Sequence, residues 1–129
     1  MNRTTPCAPG MGAGRLAKAN QFAQVAHAVD LLAQEDEDVR DAVVTLAVHA
    51  GIAAADSVCC LRLGSMARGE NHNEAAVWLQ RADNGAAKHL RVLLGLKTRA
   101  GYSHTSVTRD EAKRALRAMD QLLALAKGA

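Results

Sequence analysis

The residues with chemistry to offer gather in two stretches. LKTRAGYSH, Leu96 to His104, packs Lys97, Arg99, Tyr102 and His104 together at the end of a leucine-rich run. Two cations, a phenol and an imidazole at that density suit either an anion-binding site or the charged, frayed end of a core helix. The second stretch is AAADSVCC, where Asp56 stands among small apolar residues. A carboxylate there is costly to bury without a partner. At about 100° per residue, Lys97 projects from the apolar side of its helix, away from Arg99. It must snorkel to the helix end or find an acid. An Asp56–Lys97 pair answers both needs; two solvated charges on helix flanks is the alternative.

Other polar residues carry weaker signals. His49 shares a helix face with Ile52, Asp56 and Leu63, which makes it a candidate ligand contact beside Asp56. His72, in RGENH, can contact a ligand or cap a helix start. Trp78 is either a base-stacking platform or a core plug. Cys59, Cys60, His49 and His72 have neither Cys-x2-Cys nor paired-His spacing, and adjacent cysteines on one helix point apart, so no metal site is expected. Cys7, Cys59 and Cys60 match no disulfide framework and read as free, buried thiols in a reducing compartment. There is no phosphate-binding glycine loop and no readable Ser-His-Asp order, and no cofactor is expected. Arg109, Lys113, Arg114 and Arg117, with Lys88, Arg91 and Arg99, form either a face for RNA phosphates or a solvated surface.

The scaffold that must position these residues is legible in the composition. The chain has 129 residues, enough for one domain, with 49% hydrophobic residues but only 2% aromatic. The apolar mass is alanine, leucine and valine, and alanine and leucine are strong helix formers. An all-α protein follows, and short loops favour an antiparallel up-down bundle of four to five helices. A formal charge of +3 suits a soluble, cytoplasmic protein. Residues 1–14 have no apolar core of a secretory signal and read as a flexible leader to a single domain over 15–129, with no membrane-length run after it.

Helical spacing predicts five helices. The first covers about Arg15 to Gln34. QEDED then breaks the pattern and suits the start of a second helix, from near Asp38 to Leu63. A short helix runs from about Asn73 to Ala82, with Asp83 capping the break before a fourth, from about Gly85 to Tyr102. The last has the clearest start: TRDE places Thr108 at the N-cap and Glu111 three residues on, a capping box. The second and fourth helices are apolar on more than one side, so they occupy the bundle centre or meet a second copy in a homodimer.

LAVHAGIAAADSVCCLRLGSMARGENHNEAAVWL resembles the central segment of HEPN-domain proteins, and LLGLKTRAGY followed by VTRDEAKRALRAMDQLLALA resembles that family's closing helix pair. The likeness spans roughly Asp38 to Lys127. It implies a bundle that is usually dimeric and acts as a non-catalytic interaction or nucleotide/RNA-binding module. Such modules belong to toxin–antitoxin systems or pair with a nucleotidyltransferase. Lys97, Tyr102, Asp56, His49 and His72 are then the ligand or partner residues. The alternative that the family implies is a metal-independent ribonuclease with an Arg-x4-His motif, which Arg99 and His104 match. There the arginine would hold the scissile phosphate and the histidine would shuttle a proton for attack by the ribose 2′-hydroxyl. Ala100 departs from the polar residue usual after that arginine. A third reading is a helical protein without a ligand.

Overall fold

Small side chains let helices lie close, and one long helix here is lined with them on nearly every side. A computed structural model, describing residues 3–33, 39–69 and 71–129, contains α1 (Met11–Leu32), α2 (Arg40–Leu63), α3 (His72–Ala82), α4 (Ala87–Gly101) and α5 (Arg109–Gly128). Two short strands, β1 (Thr4–Pro6) and β2 (Ser65–Ala67), pair antiparallel with Thr5 opposite Met66. The all-α bundle expected from composition is what forms, with this small sheet as its only addition among the described residues.

Named contacts give the helix directions. Along α1, Gly12, Arg15 and Phe22 meet Ser57, Asp56 and His49 in turn, so α1 and α2 are antiparallel. Gly51 and Thr45 of α2 face Leu93 and Gly101 of α4, again antiparallel. Arg99 of α4 meets Glu111 at the start of α5, and His27 of α1 meets Asp120 of α5. Helices α1, α2, α4 and α5 therefore alternate up and down, and the short α3 bridges α2 and α4.

Helix α2 is the centre. Val43, Val44, Ala47, Val48, Ala50, Ala53, Ala54, Ala55, Val58 and Cys59 are buried, and α1, α4 and α5 all pack on it. By length and composition this helix could cross a membrane, contrary to the expectation of no such run, but most of that stretch is buried inside the bundle. Its several apolar sides, expected to need either the bundle centre or a second copy, pack on α1, α4 and α5 of the same chain.

The ends are tied by hydrogen bonds. Asp41 Oδ1 accepts from Val107 N–H at 2.8 Å, and Arg40 Nη1 donates to Val107 O at 3.1 Å. The buried Val107 so anchors the loop that delivers α5. The capping box holds as expected: Thr108 Oγ1 accepts from Glu111 N–H, and Glu111 Oε1 accepts from Thr108 N–H. The one fully buried polar side chain among the described residues, Ser57, donates to Gly12 O at 2.8 Å and is thereby satisfied.

Three expectations are corrected here. Residues 4–14 are not a flexible leader, because β1 pairs with β2 and α1 begins at Met11 rather than Arg15. The cysteines are not all free: Cys7 and Cys60 form a disulfide, and Cys59 alone is free and buried. Adjacent helical positions do diverge, so Cys60 turns outward to the amino-terminal strand while Cys59 turns inward. The bond joins residues 53 apart in sequence, a closure worth about 4 kcal/mol by chain entropy. With two of the three thiols joined, the cysteines no longer point to a reducing compartment. The QEDED segment lies outside the described residues.

At Gly51 the α2–α4 contact leaves no room for a side chain, since an added Cβ would collide with Leu93 Cδ1 and press on Leu122 Cδ1. Gly51→Ala is expected to lower unfolding stability by about 1–3 kcal/mol despite alanine's better helix propensity. Urea unfolding checks this; an unchanged or raised midpoint would mean the helices are not this close.

Candidate functional site

Between α2, α4 and the start of α3 lies a cavity of about 270 Å³. Its walls are apolar: Ile52 and Ala55 from α2, Ala75 from α3, Leu90 and Leu94 from α4. Its polar groups come from three elements, namely His49 and Asp56 of α2, Asn71 and His72 at the start of α3, and Lys97 of α4. Four of the five expected ligand residues thus meet in one cavity. The fifth, Tyr102, is exposed and lines a smaller neighbouring hollow of about 140 Å³, for which His49 and Lys97 form the dividing wall.

Helix geometry explains the convergence. His49, Ile52 and Asp56 recur at three- and four-residue intervals, which stacks them on one face of α2. Leu90, Leu94 and Lys97 do the same on α4. Lys97 is half-buried and lines both this cavity and its smaller neighbour.

Asp56 does not pair with Lys97. Its carboxylate is taken by Arg15 of α1, whose Nη2 and Nε lie 3.0 and 3.1 Å from Oδ2. The partner sits 41 residues away in sequence, and no local pattern pointed to it. Burial raises the Asp56 carboxyl to about 6 from its ordinary 3.8, and the opposing pull of Arg15 does not undo this. Cys59 on the next turn has its thiol pushed up to about 12 by burial and by the Asp56 charge, so it is an inert wall group and not a nucleophile. Lys97 makes no ion pair with any described residue.

The remaining candidates separate. His72 is not the cap of α3. Asn71 is, its Oδ1 accepting from Glu74 N–H at 2.9 Å, and the Asn71…Glu74 spacing in NHNE carried that signal in the sequence. Asp83 accepts from Gly85 N–H, a turn just before α4. Trp78 is a packing residue: its Nε1 donates to Ser65 O at 2.9 Å and Arg81 lies over its ring. Arg99 is held by both carboxylate oxygens of Glu111 at 2.9 Å. The Glu111 carboxyl is held below its usual range, by the Thr108 backbone N–H first and by Arg99 as well. His104 lies in an exposed loop and lines neither cavity. Among the described residues, no group of three His, Cys, Asp or Glu side chains could hold a metal ion.

The raised Asp56 value fixes a pH dependence. A folded-state value above the unfolded one gives a contribution fully present below about pH 3.8 and lost as pH rises through about 6. Near neutral pH, keeping the charge buried costs on the order of 3 kcal/mol. Asp56→Asn is therefore expected to be more stable than the wild type at pH 7.5, with the gap closing towards pH 4. Denaturant unfolding across that range checks it, and a gap that does not change with pH would contradict a buried, titrating Asp56.

Compared with models of known protein families and with curated proteins, the chain matches none.

Proposed function

We propose that this chain is a HEPN-like, non-catalytic binding module whose cavity between α2, α3 and α4 takes a small anionic ligand of nucleotide type. One observation carries the reading: the acid in the cavity is already neutralised by Arg15 from outside it, while Lys97 has no carboxylate partner. Among the described residues, the cavity therefore carries one cation without a carboxylate partner, Lys97, beside apolar walls. Ligand pockets of this make-up orient an apolar body with a few polar groups. The volume, about 270 Å³, lies at the lower edge of the ~300–1,000 Å³ common for such pockets, which suits one ring system and not a polymer segment. His49 and His72 at the rim supply flat faces for stacking and further donors.

The ribonuclease alternative has less support. Arg99 is engaged by Glu111, and His104 lies in a loop outside both cavities. An arginine that must grip a scissile phosphate would first have to leave a two-oxygen partner. The basic face on α4 and α5 is likewise interrupted, since Glu111 sits among its cations.

The resemblance also supports a homodimer and a nucleotidyltransferase-type partner. Val25, Leu31 and Leu32 on α1 and Leu61 on α2 stand exposed, apolar surface that a second copy would cover. Size-exclusion chromatography with light scattering is expected to return twice the 13.6 kDa chain mass; a monomer at micromolar concentration would remove the dimer from this reading.

Calorimetric titration with the four nucleoside 5′-monophosphates tests the ligand class. Saturable binding by at least one is expected, weakened about tenfold in Lys97→Gln, a loss of ~1.4 kcal/mol. Tyr102→Phe should bind as the wild type does. Labelled single-stranded RNA is expected to stay intact in the same preparation. Silence from all four monophosphates would end the nucleotide reading, and RNA cleavage lost in His104→Ala would replace it with the nuclease.

A further inference from the structure

The Cys7–Cys60 disulfide stands apart from the core that it borders. Neither cysteine belongs to the buried cluster around α2, and both are half-buried, within reach of a thiol in solution. Cys59, one residue away, is only 3% exposed, and burial keeps its thiol protonated, so it takes no part in exchange.

What the bond holds is small. The three residues of β1 pair with the three of β2. Cys7 N–H donates to Gly64 O and Arg68 N–H donates to Arg3 O, both at 2.9 Å, one at each end of the pair. A two-stranded ribbon this short has little stability of its own. The chain beyond it is tied separately. Ser57 Oγ donates to Gly12 O, Arg15 pairs with Asp56, and an added side-chain carbon at Gly12 would sit 3.3 Å from Cys60 Cβ. Helix α1 thus has its own hold on α2, whether or not the disulfide is closed. Between the two regions lies Gly10, at φ +85°, a left-handed conformation that favours glycine and lets the chain turn there. Strand β2 in turn borders the cavity: Ala67 lines it, and Trp78 of α3 donates from Nε1 to Ser65 O at 2.9 Å.

We infer that the Cys7–Cys60 disulfide is a thiol–disulfide exchange site, a reversible latch on the amino-terminal strand that a dithiol reductant opens. One thiolate of the dithiol attacks a sulfur of the bond, forms a mixed disulfide and expels the other cysteine as a thiolate, which takes a proton. The second thiol of the reductant then displaces the remaining cysteine. Two electrons and two protons pass to Cys7 and Cys60, and the dithiol leaves as its own disulfide. In the reduced chain β1 parts from β2 while the helices stay packed; in the oxidised chain the strand is fixed and β2 is supported from both β1 and α3. The latch concerns the strand pair alone and does not depend on which ligand the cavity takes.

Hydrogen exchange on the full chain, oxidised or treated with dithiothreitol without denaturant, tests this. On reduction the Cys7 and Arg68 amides are expected to lose protection and exchange as unfolded amides do, while helical circular dichroism is retained and the Val48 and Ala53 amides of α2 stay slow. Trp78, the only tryptophan, should change its emission as the strand carrying Ser65 loosens. Oxidised glutathione should restore both signals. Cys7→Ser should show the reduced pattern with no reductant present, and Cys59→Ala should respond as the wild type does. A bond that dithiothreitol cannot reduce in the folded chain would overturn the latch. So would Cys7 and Arg68 amides that stay protected once mass spectrometry finds the two new thiols. Loss of the helical signal together with the strand would also overturn it, making the bond a staple of the whole fold.

Discussion

The arrangement of this molecule depends on how closely other helices can approach α2. Small residues on α2, with Gly51 at the tightest point, bring α1, α4 and α5 against it. Van der Waals attraction falls steeply with distance, so a surface of alanines stabilises a bundle only when backbones come close. Large aromatic plugs would hold the helices apart, and this chain has almost none in its core. The leucines that α4 and α5 contribute, Leu93 and Leu122, fill the space that Gly51 leaves. On another face of α2, where His49, Ile52 and Asp56 look towards Leu90, Leu94 and Lys97 of α4, a cavity remains.

That cavity is defined by electrostatics as much as by shape. Asp56 lines it and is largely buried, so its carboxylate needs a compensating cation. Arg15 arrives from α1 and takes the carboxylate. The ion pair does not fully offset burial, since the carboxyl is still raised to about 6. It does satisfy the acid without the lysine, and so leaves Lys97 on the cavity wall with no ion pair to a described residue. A parallel separation occurs at the far end of α4, where Glu111 both caps α5 and holds Arg99. One arginine is committed to structure while the lysine two residues before it is not.

The amino-terminal strand adds a second constraint. A three-residue strand has little stability alone, and β1 persists through its partner β2, the Cys7 backbone hydrogen bond and the disulfide to Cys60. These ties hold the start of the chain against β2. Ala67 and Gly69 after α2, with Asn71 and His72 at the opening of α3, line the cavity, and the segment before α1 packs on that side of it.

Local signals in the chain determined the helices themselves. Alanine and leucine periodicity marked all five, and the Thr108–Glu111 pair marked the start of α5 to the residue, because capping and periodicity act within a few positions of one another. The shared face of His49, Ile52 and Asp56 and the apolar side carrying Lys97 were legible for the same reason, and these faces do meet across the cavity. What only the tertiary structure decided were the choices among distant partners. Asp56 took Arg15 over Lys97, Cys60 took Cys7 over a free thiol, and α2 was covered by its own chain. Each such choice depends on which remote segment arrives at a given point with the right geometry. Spacing along the chain carries no record of that distance in space.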